Sequence, residues 1–220
     1  MEKVKVFSTY SGVFGFELGI TRALGKDNVE IVGYAQVDPQ CKSKTCRGDF
    51  TPHTYLHAGS AKCDVCGRVN TQYADAICQY HYPGLKNYGD TTKISAIDVP
   101  DHDLFVAGFS CQPFSVAGKK LGLEDVRGTA IYEITRILQA KRPGYFLLEN
   151  VTNLVGHDDN RTIVTIHSIL TGIGYVCEWV VLNSKNFGVP QNRDRVYFIG
   201  HLRGKPRPEI LSIGGGNIFG

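Results

Sequence analysis

Two short runs constrain the fold more than anything else in this 220-residue chain: DLFVAGF at 103–109 and YFLLENV at 145–151. Both are apolar at consecutive positions rather than at alternate ones. A strand with one wet face alternates, whereas a strand covered on both faces does not. Between them GTAIYEITRILQA (128–140) repeats its apolar residues at helical spacing and stops at Arg142-Pro143. Strand, amphipathic helix, strand is the signature of a parallel crossover unit. The same alternation begins earlier. KVKVFSTY (3–10) reads as a strand, SGVFGFELG as a glycine-punctuated turn, and FELGITRAL as a helix; VEIVGYAQV (29–37) is a second strand. QYADAICQYHY (72–82) and RTIVTIHSILTGIGY (161–175) read as helices, and VCEWVVLNS (176–184) and RVYFIGHL (195–202) as a late pair of strands. The pattern predicts an α/β domain with a mostly parallel sheet built from 1–38 and 72–203. Residues 204–220, with a GGG run, read as a linker.

Residues 39–71 break the alternation and differ in composition. They hold Lys42, Lys44, Arg47, Lys62 and Arg68 against Asp49 and Asp64, a surplus that equals the net charge of +3 for the whole chain. They also hold four of the seven cysteines. Cys41 and Cys46 are separated by four residues, Cys63 and Cys66 by two in CDVCG, with sixteen between the pairs. Four thiolates at this spacing suit a closed tetrahedral zinc site, which would fold an insertion too small for its own core. Free thiols in a loop are the alternative, and His53 and His57 are alternative ligands. The basic residues suit a phosphate backbone, although zinc-bound thiolates offset part of that charge. No apolar run reaches the ~18 residues of a membrane span. The chain is strand-like from MEKVKVFSTY onward, leaving no room for a secretory signal, so a cytoplasmic protein is expected.

In doubly wound sheets ligands bind beyond the carboxyl ends of the strands. Cys111 in GFSCQPFSVAG, Glu149 at the end of FLLE, and the turn SGVFG all follow predicted strands, so all are expected to line one crevice. Taken alone, Cys111 is more often inert packing than nucleophile. Glu149 is a helix cap or a functional acid, and burial there would favour its protonated, hydrogen-bond-donating form. Gln191, Arg193 and Arg195 in QNRDR enter a strand at alternate positions, a spacing that suits anion or base-edge contact on one face.

In order, these pieces resemble the cytosine carbon-5 DNA methyltransferases, a family with a Rossmann-like S-adenosylmethionine-dependent fold that includes restriction–modification enzymes. The resemblance rests on FSTYSGVFGFELG, on GDTTKISAIDVPDHDLFVAGFSCQPFSVAGKKLGLEDVRG, on LLENV and on GVPQNRDRVYFIG. It implies that Cys111 adds to carbon 6 of a flipped-out cytosine, turning carbon 5 into a nucleophile for the sulfonium methyl. It implies that Glu149 holds ring nitrogen 3 and the exocyclic amine and that Arg195 reaches the ring carbonyl. Arg193 would steady the glutamate or a phosphate, and Gln191 would close the site.

For the donor, the resemblance assigns Tyr10, Gly12 and Gly15 to the turn, Gln36 to the ribose and Asp90 to the adenine amine. Four departures stand out. Ser8 replaces an aspartate, Phe14 a glycine of the turn, Gln36 a glutamate, and Ser110 the proline before the nucleophile. The cysteine segment is outside the family pattern. The twenty residues after Gly200 are too few for the target-recognition region and closing helix that the resemblance leads one to expect. Residues 204–220 would then be the truncated start of that region, with recognition supplied by a longer protein or a second chain, or reduced in a minimal enzyme. Duplex DNA is the expected substrate. A transfer-RNA methyltransferase and a silent zinc-bearing nucleic-acid-binding relative are the alternatives.

Overall fold

The computed structural model describes residues 2–36, 73–109 and 130–205, and the backbone of 55–57, 60–62 and 69–71. Strand β1 (Val4–Thr9) leads into α1 (Gly15–Leu24) and β2 (Val29–Ala35). Strands β3 (Tyr55–His57), β4 (Ser60–Lys62) and β5 (Val69–Thr71) form a separate three-stranded antiparallel sheet. Then come α2 (Tyr73–His81), β6 (Leu104–Gly108), α3 (Ala130–Lys141) and β7 (Tyr145–Val151). The short α4 (Asn153–Gly156), α5 (Arg161–Gly172), β8 (Tyr175–Asn183) and β9 (Asp194–Leu202) complete the described chain.

The main sheet has six strands in the order β2-β1-β6-β7-β9-β8. Strands β2, β1, β6 and β7 pair in parallel, while β9 is antiparallel to both β7 and β8. Five strands therefore share one direction and β9 alone is reversed. The sheet is mostly parallel, as the unbroken apolar runs require.

Register explains why both faces of β6 and β7 are apolar. Phe7, Phe105 and Phe146 stand side by side, and Ala107 and Leu148 follow on the same face. Helices α3 and α5 cover this face with Ile131, Ile134, Ile137 and Leu138, all at 0% exposure, and with Ile163, Ile166 and Leu170. Each fully buried aliphatic of this kind contributes roughly 1.5–3 kcal/mol over an exposed one. On the opposite face Val6 and Val106 pack with Phe14, Tyr34 and Cys78. Cys78 and Cys177 are free and buried. Burial raises both thiols, that of Cys177 to about 12, which makes them packing residues. Among the described residues no helix is long and apolar enough to cross a membrane.

Candidate active site

The turn after β1 is wound tightly. Tyr10, Gly12 and Phe14 all have left-handed backbone, with φ of 54°, 53° and 67°. At Gly12 that conformation carries no Cβ penalty, and an added Cβ would meet nothing within 4 Å. The turn is tied down on several sides. Tyr10 N–H donates to Ala35 C=O at 3.0 Å and Phe14 N–H to Ser11 C=O at 3.0 Å. Gly12 N–H donates to Gln36 Oε1 at 2.9 Å. Burial pushes the Tyr10 hydroxyl up to about 12, with a hydrogen bond to Thr91 working against that and Asp90 adding to it. Tyr10, Gln36 and Asp90 thus converge at the end of β2. The Asp90 carboxylate also accepts from Thr92 N–H at 2.9 Å.

On its other side the turn borders a cleft of about 740 Å³ that reaches the ends of β6, β7 and β9. Gly12 and Gly15 line it together with Glu149, Arg193 and Arg195. Glu149 lies in β7, two residues before the strand's end at Val151. Its Oε1 pairs with Arg195 Nε at 2.7 Å, and the two side chains are 23% and 20% exposed. The carboxyl is therefore largely buried and paired with a cation. Phe109 N–H donates to Glu149 C=O at 3.2 Å, which ties the exit of β6 to the same spot.

Strand β9 begins only at Asp194. Gln191 and Arg193 consequently lie in the β8–β9 connection, and the alternation expected along QNRDR does not extend to them. Gly188, with φ of 81°, and Pro190 interrupt the extended backbone ahead of the strand. Asn183 closes the base of this connection through Asn192 and Asp194, both at 2.6 Å. Arg193 is exposed on the cleft wall, and Gln191 is exposed with its N–H on Val189 C=O at 2.8 Å.

Cys111 lies outside the described residues, as do Cys41, Cys46, Cys63 and Cys66. Among the described residues no group of His, Cys, Asp and Glu could hold a metal ion.

Two residues of the site were not anticipated. Glu17 on the first turn of α1 is fully buried beside Ser8 and Ser11, whose hydroxyls bond to each other at 2.7 Å. Burial pushes its carboxyl above the ordinary range, with the Ser8 hydroxyl opposing. A carboxyl thus sits under the turn although Ser8 has replaced the expected aspartate. An acidic residue in a first helical turn reads as a dipole partner, so only packing reveals its burial. The other is Gly108, where an added Cβ would lie 3.4 Å from both Glu149 Oε2 and the Tyr10 carbonyl oxygen. A hydrogen in place of a side chain leaves that gap to the Glu149 carboxyl.

The model of the C-5 cytosine-specific DNA methylase family matches residues 63–212. The Type II methyltransferase M.NlaIV of Neisseria lactamica is 37% identical over 213 residues, covering 94% of this chain and 43% of that protein. M.HaeII of Haemophilus aegyptius is 47% identical over 131 residues, covering 60% of this chain and 41% of that protein. The chain thus spans less than half the length of these relatives. Among solved structures, the Dnmt2 methyltransferase of S. pombe superposes with a TM-score of 0.64 at 21% identity, covering 98% of this chain and 57% of that one. At that identity the likeness is one of fold, a mixed α/β methyltransferase architecture. With the family match spanning most of the sequence, the cleft at the strand ends is that of a member of the C-5 cytosine-specific DNA methylase family.

Proposed function

We propose that this chain carries the catalytic part of a DNA cytosine carbon-5 methyltransferase. The observation that supports this most is the sharing of one cleft by the glycine turn and the Glu149–Arg195 pair, separated in sequence by more than a hundred residues. A donor held at the turn and a base held by the pair would meet there. The turn fits an adenosyl-type ligand: open space above Gly12 and Gly15, an aromatic at Tyr10, and polar groups at Gln36 and Asp90. S-adenosylmethionine, when bound, supplies an electrophilic methyl.

Carbon 5 of cytosine is a poor nucleophile. In this reading the Cys111 thiolate adds to carbon 6, and the ring's electron pair becomes available at carbon 5. One residue, Ser110, separates Cys111 from Phe109, whose N–H is anchored on Glu149. Glu149 holds nitrogen 3 and the exocyclic amine, and Arg195 reaches the ring carbonyl while steadying the carboxylate. Arg193 and Gln191, on the exposed connection, contact phosphate and close over the extruded base. After methylation a base removes the carbon-5 proton, and the returning electron pair expels the Cys111 thiolate.

The test is transfer of labelled methyl from S-adenosylmethionine to mixed-sequence duplex DNA and to transfer RNA. Label in DNA that vanishes in Cys111→Ala is the expected result. Label in transfer RNA alone would replace the substrate, and no label in either would remove the catalytic reading for this chain on its own, leaving target recognition to a longer protein or second chain.

The donor reading makes a quantitative prediction at Gln36. Its Oε1 is already engaged by Gly12 N–H, so a ribose hydroxyl finds no anionic acceptor there. A glutamate would keep one oxygen on Gly12 and offer the second, charged, to the ribose. Hydrogen bonds to charged groups exceed neutral ones by about 1 kcal/mol, so Gln36→Glu should tighten donor binding by about 5- to 10-fold. Unchanged affinity in calorimetry would take Gln36 away from the ribose.

The four thiols Cys41, Cys46, Cys63 and Cys66 are the donor set of a structural zinc site in this proposal, which folds residues 39–71. Chelation should lower the melting temperature, and protein free of zinc by elemental analysis would end that assignment.

A further inference from the structure

Past Ala35 the backbone of β2 loses its neighbouring strand, yet the Gln36 peptide remains bonded on both sides. Residues 86–88 run beside β2, with Tyr34 N–H donating to Lys86 C=O at 3.2 Å and Tyr88 N–H to Tyr34 C=O at 2.7 Å. At the next rung the Asn87 side chain replaces a backbone. Its Oδ1 accepts from Gln36 N–H at 3.2 Å, and its Nδ2 donates to Gln36 C=O at 3.0 Å. A primary amide has the donor and acceptor of a peptide group, so it continues the ladder where the chain does not. The remaining capacity of the carboxamide is also used. Oδ1 accepts from Gly89 N–H at 2.8 Å, in the turn that delivers Asp90, and Nδ2 donates to Asp75 Oδ1 at 2.5 Å. Asp75 is 2% exposed and also accepts from Tyr34 Oη at 2.5 Å. The chain of contacts therefore runs from α2 through Asp75 and Asn87 to the Gln36 peptide, and by the Gln36 side chain to Gly12.

We propose that Asn87, oriented by Asp75, is a positioning residue of the methyl-donor site: its carboxamide clamps the Gln36 peptide and so sets the Gln36 amide against the Gly12 turn. The proposal rests on the donor reading above. Only an amide meets the requirement. Aspartate has no N–H for Gln36 C=O and would set a second carboxylate against Asp75.

The test is calorimetric titration of S-adenosylmethionine into the full chain and into Asn87→Ala, Gln36→Ala and their double variant. Losing the clamp should weaken binding on the order of 10-fold. Because Asn87 acts through Gln36, the double variant should bind within about twofold of Gln36→Ala alone. The exchange Asp75→Asn with Asn87→Asp can keep an amide–carboxylate contact between the two positions, at the cost of the Tyr34 acceptor because Asp75 Oδ1 takes both bonds, and it gives Gln36 C=O no donor. It should fold and still bind weakly. Multiplying losses in the double variant, wild-type affinity in Asn87→Ala, or full recovery in the exchanged pair would each overturn the proposal while leaving the donor site in place. A wild-type chain that takes up no S-adenosylmethionine would overturn the donor reading and the proposal with it.

Discussion

Replacing Glu149 by glutamine is expected to slow methyl transfer by about 10²- to 10⁴-fold, the range a positioned acid contributes, while moving the melting temperature by only a few degrees. Glutamine is a sharp probe because it keeps much of the hydrogen-bonding pattern. Its carbonyl can accept from the exocyclic amine and its NH₂ can donate toward nitrogen 3, but it has no proton to transfer and no charge to balance a protonated ring. The fold should tolerate the change. Glu149 is held by its backbone, through the pairing with Gly108 and the Phe109 hydrogen bond. Its ion pair with Arg195 is only about a fifth exposed, between the surface case of about 0–1 kcal/mol and the costlier buried case, but glutamine keeps an oxygen acceptor for the guanidinium. Donor affinity, read at the glycine turn, should stay near wild type. Single-turnover transfer of labelled methyl checks the prediction, and a rate within about tenfold of wild type would remove Glu149 from proton chemistry.

The second large effect concerns stability, and there two terms of opposite sign compete. Phe14 is the N-cap of α1 with φ of 67° and ψ of 31°. An L-residue in this region costs roughly 1–2 kcal/mol, which glycine would recover. The ring, however, is at 0% exposure and packs edge-on against Tyr34 at 5.1 Å and against Tyr82 at 5.3 Å. Removing a buried phenylalanine costs about 3–5 kcal/mol. Packing wins, so Phe14→Gly should destabilise by about 1–4 kcal/mol, or about 2–16 °C for a chain of this size. Phe14→Ala loses the ring and keeps the strain, so it should melt below Phe14→Gly, the reverse of the usual helix ranking. Thermal and denaturant melts of the two variants check both the size and the order. A glycine variant as stable as wild type would mean that the ring does not contribute as its burial requires.

Phe14 also illustrates what is legible in a sequence. That it stands where the family has glycine can be read directly. That the substitution is tolerated because the ring fills a pocket formed by Tyr34 and Tyr82 cannot, since those residues are 20 and 68 positions away. Gln36 is similar. The missing charge is visible in the sequence, whereas the engagement of its oxygen with Gly12, and the hold of Asn87 on its peptide, arise only when three separate segments meet. Glu17 escaped notice because an acid in a first helical turn is ordinary; its burial is a property of what packs over it.

The local pattern by itself determined the elements, since burial on two faces demands unbroken apolar runs and burial on one demands helical or alternating periodicity. The motifs also carry a resemblance to the cytosine carbon-5 methyltransferases, and the thiol, carboxyl and arginines of the proposed chemistry rest on that resemblance. The tertiary structure decided the rest. Nothing local places β9 between β7 and β8 or reverses its direction, because strand order is a contest among edges that short-range pattern does not see. That placement sets Val151 against Arg195 and brings the guanidinium onto Glu149. Arg195 rather than Arg193 becomes the partner of the carboxyl, and register is the physical reason: a slip of two residues would bring Arg193 to that place, and a slip of one would turn the arginine to the opposite face of the sheet.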